Sequence, residues 1–420
     1  MALYLRTLRR SSRNVRLYLL TTTLQGFTMY GGINAVALNL FILRLGYGPE
    51  YVGILNGTSW LALALFSFPA GQLGRRIGSR RPMIFGQALT VGFLILLPLA
   101  EFMPLGWRLP WLITTNAMLS VGIAFVWVNS FPFLMGSTTV AERSHSFSAQ
   151  FALSTLAAFA GAIVGGLLPG LWSRLLGVPL TRAIPYAFTL LVSGAMLAPS
   201  LAALIATREI GDGHRQEERR LEGKAPLSLM GAMAAVALLA SAGQWLGQTF
   251  FNVYMDDALG MPTSLIGTIL AAGQLLAAPA SLLAPLALSR LGAGRTTSLA
   301  QIATSLSLLP LIIAPGWASA GLGAVGLLAT VALLNPVIGQ YQQSLVAPSR
   351  RTQMSGIITT AVSVGAAGSA LAGGYIIAGL GYRSLFLLAA ALMAGGALLF
   401  WAWARHQGGK PGEPTQPSRQ

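Results

Sequence analysis

Gly71-Gln72-Leu73-Gly74-Arg75-Arg76-Ile77-Gly78-Ser79-Arg80-Arg81 joins two long apolar stretches, and a weaker copy of it returns later in the chain. That copy is Pro285-Leu286-Ala287-Leu288-Ser289-Arg290-Leu291-Gly292-Ala293-Gly294-Arg295, an offset of 214 from Gly71 to Pro285. At the same offset Leu45-Gly46 aligns with Leu259-Gly260, and Gly53 with Gly267. A second register, offset by 207, pairs Arg143, Phe147, Ser148, Gly161 and Gly166 with Arg350, Met354, Ser355, Gly368 and Gly373. Both registers run in the same sense. Two like-oriented halves in one membrane-embedded chain can rock against each other around a shared site.

The membrane reading rests on composition. Of 420 residues, 54% are hydrophobic and 9% charged, whereas a soluble domain carries about 25% charged residues. Runs of about 20 apolar residues span a hydrocarbon core roughly 30 Å thick. Twelve such runs are expected, near residues 17–43, 50–73, 82–102, 110–136, 146–169, 184–206, 227–255, 263–288, 297–314, 318–343, 354–379 and 384–404. The basic start leading into the run from Leu17 reads as a retained first span, with no cleavable signal. Residues 207–225 form the one long polar connection, holding Glu209, Asp212, Glu217, Glu218 and Glu222 among Arg208, Arg215, Arg219, Arg220 and Lys224. The expected organisation is therefore an N-terminal bundle over 1–206, a linker over 207–225, a C-terminal bundle over 226–405 and a disordered tail over 406–420.

The net charge of +16 is distributed by side. Threading the twelve spans puts Arg6, Arg9, Arg10, Arg13, Arg16, Arg75, Arg76, Arg80, Arg81, the linker bases, Arg290, Arg295, Arg350, Arg351 and Arg405 on one side. The other side keeps Arg44, Arg108, Arg174, Arg182 and Arg383. The positive-inside bias then places both termini in the cytoplasm of a multi-pass cell-membrane protein. The surplus charge is read as contact with anionic lipid headgroups rather than with nucleic acid.

Twelve spans as six plus six, a central polar loop and a Gly-x-Leu-x-x-Arg-x-Gly-x-Arg-Arg segment after the second span resemble the major facilitator superfamily. The resemblance implies an all-α membrane fold of two pseudo-symmetric six-helix bundles, and a conformational role for Gly71, Leu73, Arg75, Arg76, Gly78, Arg80 and Arg81 with their echo Ser289, Arg290 and Gly292. The family pattern has an Asp where this chain has Arg75. In the family that Asp is taken to act with a helix terminus to hold one state, and an Arg reverses the sign of that contact. Either Glu142 in the next loop supplies the carboxylate, or Arg75 faces lipid phosphate. The stretch Gly161 to Pro169 in the fifth span is similar to the family's antiporter signature but lacks its Gly-Pro pair, and reads first as close helix packing.

Buried charges in a bilayer mark ion and proton paths because they are costly there. Here Glu50, Glu101, Glu142, Asp256, Asp257 and Glu413, the linker acids, and His145, His214 and His406 all fall at helix ends, in loops or in the tail. With no Cys in the chain, an enzyme would lack a buried nucleophile, acid–base pair or metal cluster. No cofactor or metal is expected. What the spans do hold is neutral. The resemblance implies that spans one, four, seven and ten line the cavity, and these carry Gln25, Tyr30 and Asn34; Trp127 and Asn129; Gln244, Trp245, Gln248 and Asn252; and Asn335, Gln340 and Tyr341. Tyr30 and Asn34 share a helix face, as do Gln244 and Gln248, and the offset of 214 relates the two pairs. Asn39 and Asn116 read first as amides that bind helices together.

Amides and aromatics on an apolar wall suit a neutral or amphipathic small solute. The expected function is a secondary transporter working by alternating access, as a monomer. A lipid flippase of the same fold and a non-transporting membrane sensor remain alternatives. Arg44 ends the first span, and Asp256-Asp257 end the seventh close to the repeat mate of Arg44, so the three are candidates for an outer gate.

Overall fold

The computed structural model describes residues 12–138, 140–208, 227–283, 287, 290–314, 316–345 and 351–407. All regular structure among them is helical, as lipid requires of a chain whose backbone polar groups must pair internally. In chain order the helices are α1 (Arg13–Thr28), α2 (Ile33–Arg44), α3 (Pro49–Ile77), α4 (Arg80–Leu96), α5 (Leu105–Ser137), α6 (Val140–Leu176) and α7 (Ile184–Ile205). After the linker come α8 (Leu227–Val253), α9 (Thr263–Leu282), α10 (Ala293–Leu306), α11 (Leu309–Ile313), α12 (Trp317–Ser344) and α13 (Arg351–Gln407). A 3-10 turn over Leu97–Phe102 extends α4, and a π turn over Tyr254–Ala258 extends α8.

Local chemistry explains the boundaries. Ser12 caps α1 through a bond from the Val15 N–H to its Oγ, and Pro49 opens α3 where a missing N–H costs nothing. Gly78 closes α3 at φ 87° and Gly292 precedes α10 at φ 74°. These repeat mates share a left-handed turn that Cβ-bearing residues avoid, and each sends the chain into a helix with an early arginine. The sequence led us to expect one continuous first span over 17–43, and the structure divides it. It breaks over Met29–Gly32, where the Tyr30 N–H reaches back to the Gln25 carbonyl and the Gly31 N–H to that of Met29.

Ten of the described helices are long and apolar enough to cross a membrane, counting Arg13–Arg44 as one. The sequence pointed to twelve. The difference has two sources: the apolar part of α9 is short, Thr263–Ala277, and one continuous stretch covers the last two runs, Gly356–Trp403. That stretch has 48 residues and holds a non-helical residue, Gly381, at φ 78° and ψ 172°.

Within the helices before the linker, α1 and α2 pack on α6 and α7, while α5 packs on α3 and α4. After it, α13 packs on α8 and α10, and α12 on α9 and α10. The two sets meet through α3 with α13, α6 with α9, and α2 with α8. Glycines let two of these crossings close. A Cβ on Gly374 would lie 2.6 Å from the Glu50 Cα, and one on Gly267 would lie 2.7 Å from the Gly166 Cα. Gly53 faces Gly374 as its repeat mate Gly267 faces Gly166, so the two crossings are related by the internal repeat. Phe41, Tyr186, Phe250, Phe251 and Phe386 fill the core at the end of the bundle that carries Arg44, while Leu65, Phe68 and Trp107 are exposed apolar groups on the periphery.

Candidate solute pathway between the two sets of helices

At the Arg44 end the two sets are tied by polar contacts. The Arg44 guanidinium donates two parallel bonds to Asp256, Nη1 to Oδ2 at 2.7 Å and Nη2 to Oδ1 at 2.6 Å. Its Nε donates to the Leu180 carbonyl at 3.1 Å, and its guanidinium carbon lies 5.6 Å from the centre of the Tyr186 ring. The Asp256 side chain is 7% exposed and that of Arg44 23%. Tyr186 in turn bonds Thr263 at the start of α9, 2.9 Å between hydroxyls. Asp257 points elsewhere, accepting from the Tyr382 hydroxyl. The structure thus brings Arg44 to Asp256 and leaves Asp257 bound within the C-terminal set.

One step deeper lies an amide cluster. Asn39 Nδ2 donates to the Thr249 carbonyl at 2.9 Å and to Asn252 Oδ1 at 3.2 Å. Asn252 Nδ2 donates to the carbonyls of Ala35 and Val36, and Asn56 Nδ2 to Asn39 Oδ1. Asn39, read from the sequence as helix glue, binds two helices from opposite sides of the linker. Asn252, read as cavity lining, is buried in the same cluster.

Deeper again the polar groups are unmet. Trp60 on α3 and Trp245 on α8 meet with ring centroids 4.5 Å apart, and Tyr30 meets Trp127 at 5.4 Å. Asn34 Oδ1 is buried with no partner, and Gln244 and Gln248 make no hydrogen bond among the described residues. All of these side chains remain partly exposed, Trp127 the most at 42%. Gln248 lies one turn from Asn252, on the α8 face that the Asn252 bonds turn toward α2. Trp60 and Trp245 meet across the two sets, which makes the partly exposed side chains at this level the candidate lining of a solute pathway. Trp60 was missed because it lies on the second span, outside the four spans considered. The repeat was the available signal: Trp60 maps onto Gln274 and Trp245 onto Gly31, and Gln274 lies against Gly31.

The model of the Major Facilitator Superfamily matches this sequence over residues 19–332 and again over 233–420. The chain belongs to this superfamily. No curated protein matches the sequence. Solved structures do match its fold. A mutant of the nucleoside transporter NupG superposes with a TM-score of 0.73 at 13% identity, over 93% of this chain and 99% of that one. A bacterial homologue of the human lysosomal transporter Spinster, inward-facing and occupied, gives 0.73 at 14% identity, covering 93% and 96%. A POT family transporter in complex with 5-aminolevulinic acid gives 0.73 at 12%, covering 94% and 96%.

As a superfamily member the protein carries its loop motif at the end opposite Arg44. Arg80 anchors it, donating to the Ile205 carbonyl at 2.7 Å and to the Thr207 hydroxyl at 3.2 Å, so it caps the end of α7. Gly71 lies beside Val128, Leu73 packs at the small Ala70–Val121–Phe125 core, and Arg76, Arg81 and Arg290 are exposed. The side chain of Arg75, Ser289 and the side chain of Glu142 lie outside the described residues, as does the side chain of Gln340. Two lining candidates are engaged inside the N-terminal set. Gln25 donates to Gln87 at 2.8 Å, which donates to Ser200, and Asn129 donates to the Ala70 carbonyl at 3.1 Å. Tyr341 packs edge-on against Phe400 and Trp403, and Asn335 is exposed. Of the candidates, Tyr30, Asn34, Trp127, Gln244, Trp245, Gln248, Asn335 and Tyr341 keep partly or fully exposed side chains, and Asn34 Oδ1 is the atom among them that is buried without a partner.

Proposed function

We propose that this superfamily member is a secondary transporter that moves a neutral or amphipathic small solute by alternating access between two six-helix halves. The observation that carries the reading is one-sided closure: the two sets of helices are pinned at the Arg44 end by the Arg44–Asp256 pair and the asparagine cluster, while unmet amides lie below the pins. Two facts support twelve crossings. Gly356–Trp403 at 1.5 Å per residue is about 70 Å long, more than twice a bilayer core, so it must turn back at Gly381. The apolar run that α9 opens at Thr263 continues in the sequence to Leu288.

The positive-inside bias puts the Arg44 end outside and both termini in the cytoplasm of the cell membrane, with anionic headgroups against the basic loops. Arg44 and Asp256 then form the outer gate, and a single chain contains both halves of the mechanism. No carboxylate or imidazole sits along the described pathway below the gate, which favours a solute without net charge. Purified protein in proteoliposomes should equilibrate at least one neutral solute from a broad radiolabelled set, and Asn34→Leu should slow it. Scrambling of fluorescent lipid without solute uptake would replace this reading with a flippase; binding without either would make the protein a sensor.

A further inference from the structure

The polar and aromatic groups at mid-depth restrict the class of solute, an inference that rests on the transporter reading. Asn34 and Trp245 both lie about 15 Å from the Arg44–Asp256 pair, counted along their helices at 1.5 Å per residue. Trp60 lies at the same depth on α3, since it touches Trp245. They therefore share one level, half-way through a core roughly 30 Å thick. At this level Trp60 and Trp245, from opposite halves, close a roof under the asparagine cluster, their rings inclined by 56°. Beside the roof, Tyr30 and Trp127 present a second tilted pair at 40°. The repeat makes the roof asymmetric. The mates of Trp60 and Trp245 are Gln274 and Gly31, so the same crossing is aromatic on one side of the axis and an amide against bare backbone on the other.

An acceptor buried without a partner costs free energy until something donates to it. Asn34 Oδ1 is such an acceptor, placed on the first turn of α2 just after the break at Met29–Gly32. Gln244 and Gln248, from the other half, add amides free to donate or accept. Indole faces gain stacking energy with flat aromatic partners beyond that of the area buried.

We propose that the site takes a neutral solute with a flat ring and at least one N–H or O–H donor, the ring lying under Trp60 and Trp245 and the donor on Asn34 Oδ1. Each element has its own test in matched probes on the reconstituted full-length protein. Uracil and phenol satisfy both requirements; 1,3-dimethyluracil and anisole keep the ring and lose the donor; sorbitol keeps donors and loses the ring. Uracil should enter vesicles faster than protein-free controls, and uracil and phenol should each raise the melting temperature, with the methylated partner at least tenfold weaker. Asn34→Leu should erase the difference within a pair, and Asn34→Asp, which can only accept when ionised, should keep it. Asn34→Ser stands in should the leucine variant fold poorly, and should weaken the discrimination. Equal handling of methylated and parent probes, or discrimination that survives Asn34→Leu, overturns the proposal. Protein-dependent entry of sorbitol but not of uracil, with no melting shift from either ring, overturns it while leaving the transporter reading intact; protein-dependent entry of no probe or other neutral solute overturns both.

Discussion

Reversing the charge of Arg44 is the sharpest perturbation the structure suggests. In the closed arrangement the Arg44–Asp256 pair makes two bonds of 2.7 and 2.6 Å, with Asp256 only 7% exposed. An exposed pair is worth about 0.2–1 kcal/mol, and breaking a fully buried one costs about 3–5 kcal/mol. This pair is half-buried, and opening returns both ions to water, so its bias toward closure is about 1–2 kcal/mol. That corresponds to a shift of roughly 5- to 30-fold in a two-state equilibrium. Arg44→Asp sets two carboxylates face to face and should move the population by at least that factor toward opening at the Arg44 end. Spin labels on Leu180→Cys and Ala258→Cys, introduced without competition because the chain has no native Cys, would report the separation by double electron–electron resonance. The short-distance population should fall in Arg44→Asp and return when Asp256→Arg is added. It should not return with Asp257→Arg, because Asp257 is held by Tyr382. Identical distance distributions in the parent, the single and the double variants would refute the gate.

Other expectations follow from single contacts. Gln301 is fully buried and neither amide atom has a partner, so Gln301→Leu should stabilise the protein by about 1–3 kcal/mol, read as a higher melting temperature in detergent. Its repeat mate Gln87 is bonded to Gln25 and Ser200, so Gln87→Leu should lower it; equal effects at both sites would show that bonding is not the cause. Gly374→Ala forces a methyl to within 2.6 Å of the Glu50 backbone and should part α3 from α13, lengthening the same spin-label distance, whereas Gly368→Ala enters open space and should change nothing. Collapsing the proton gradient with an ionophore should leave solute equilibration nearly intact, since no carboxylate or histidine lies in mid-span among the described residues; complete loss of equilibration would overturn that expectation.

Much of the architecture was legible in the residues. Hydropathy marks a membrane span because desolvating each backbone amide inside lipid forces a helix wherever an apolar run is long enough. The repeat was legible because equal turns need equal residues: Gly78 and Gly292 adopt nearly the same left-handed conformation. The repeat marked Arg44 with Asp256 and Asp257 as possible partners, because the offset of 214 sets the ends of the first and seventh spans opposite each other. What the sequence left open was the rotation of each helix about its own axis. In spans that are apolar all round, no stripe announces which face meets a neighbour and which meets the cavity. So Gln25 and Asn129, polar residues in expected lining helices, turn inward to bond Gln87 and the Ala70 carbonyl. Trp60, on a span not expected to line anything, reaches across to Trp245. The choice of Asp256 over its neighbour Asp257 was likewise set by tertiary structure, because crossing angles and helix contacts are made between segments far apart in sequence and local pattern does not encode them.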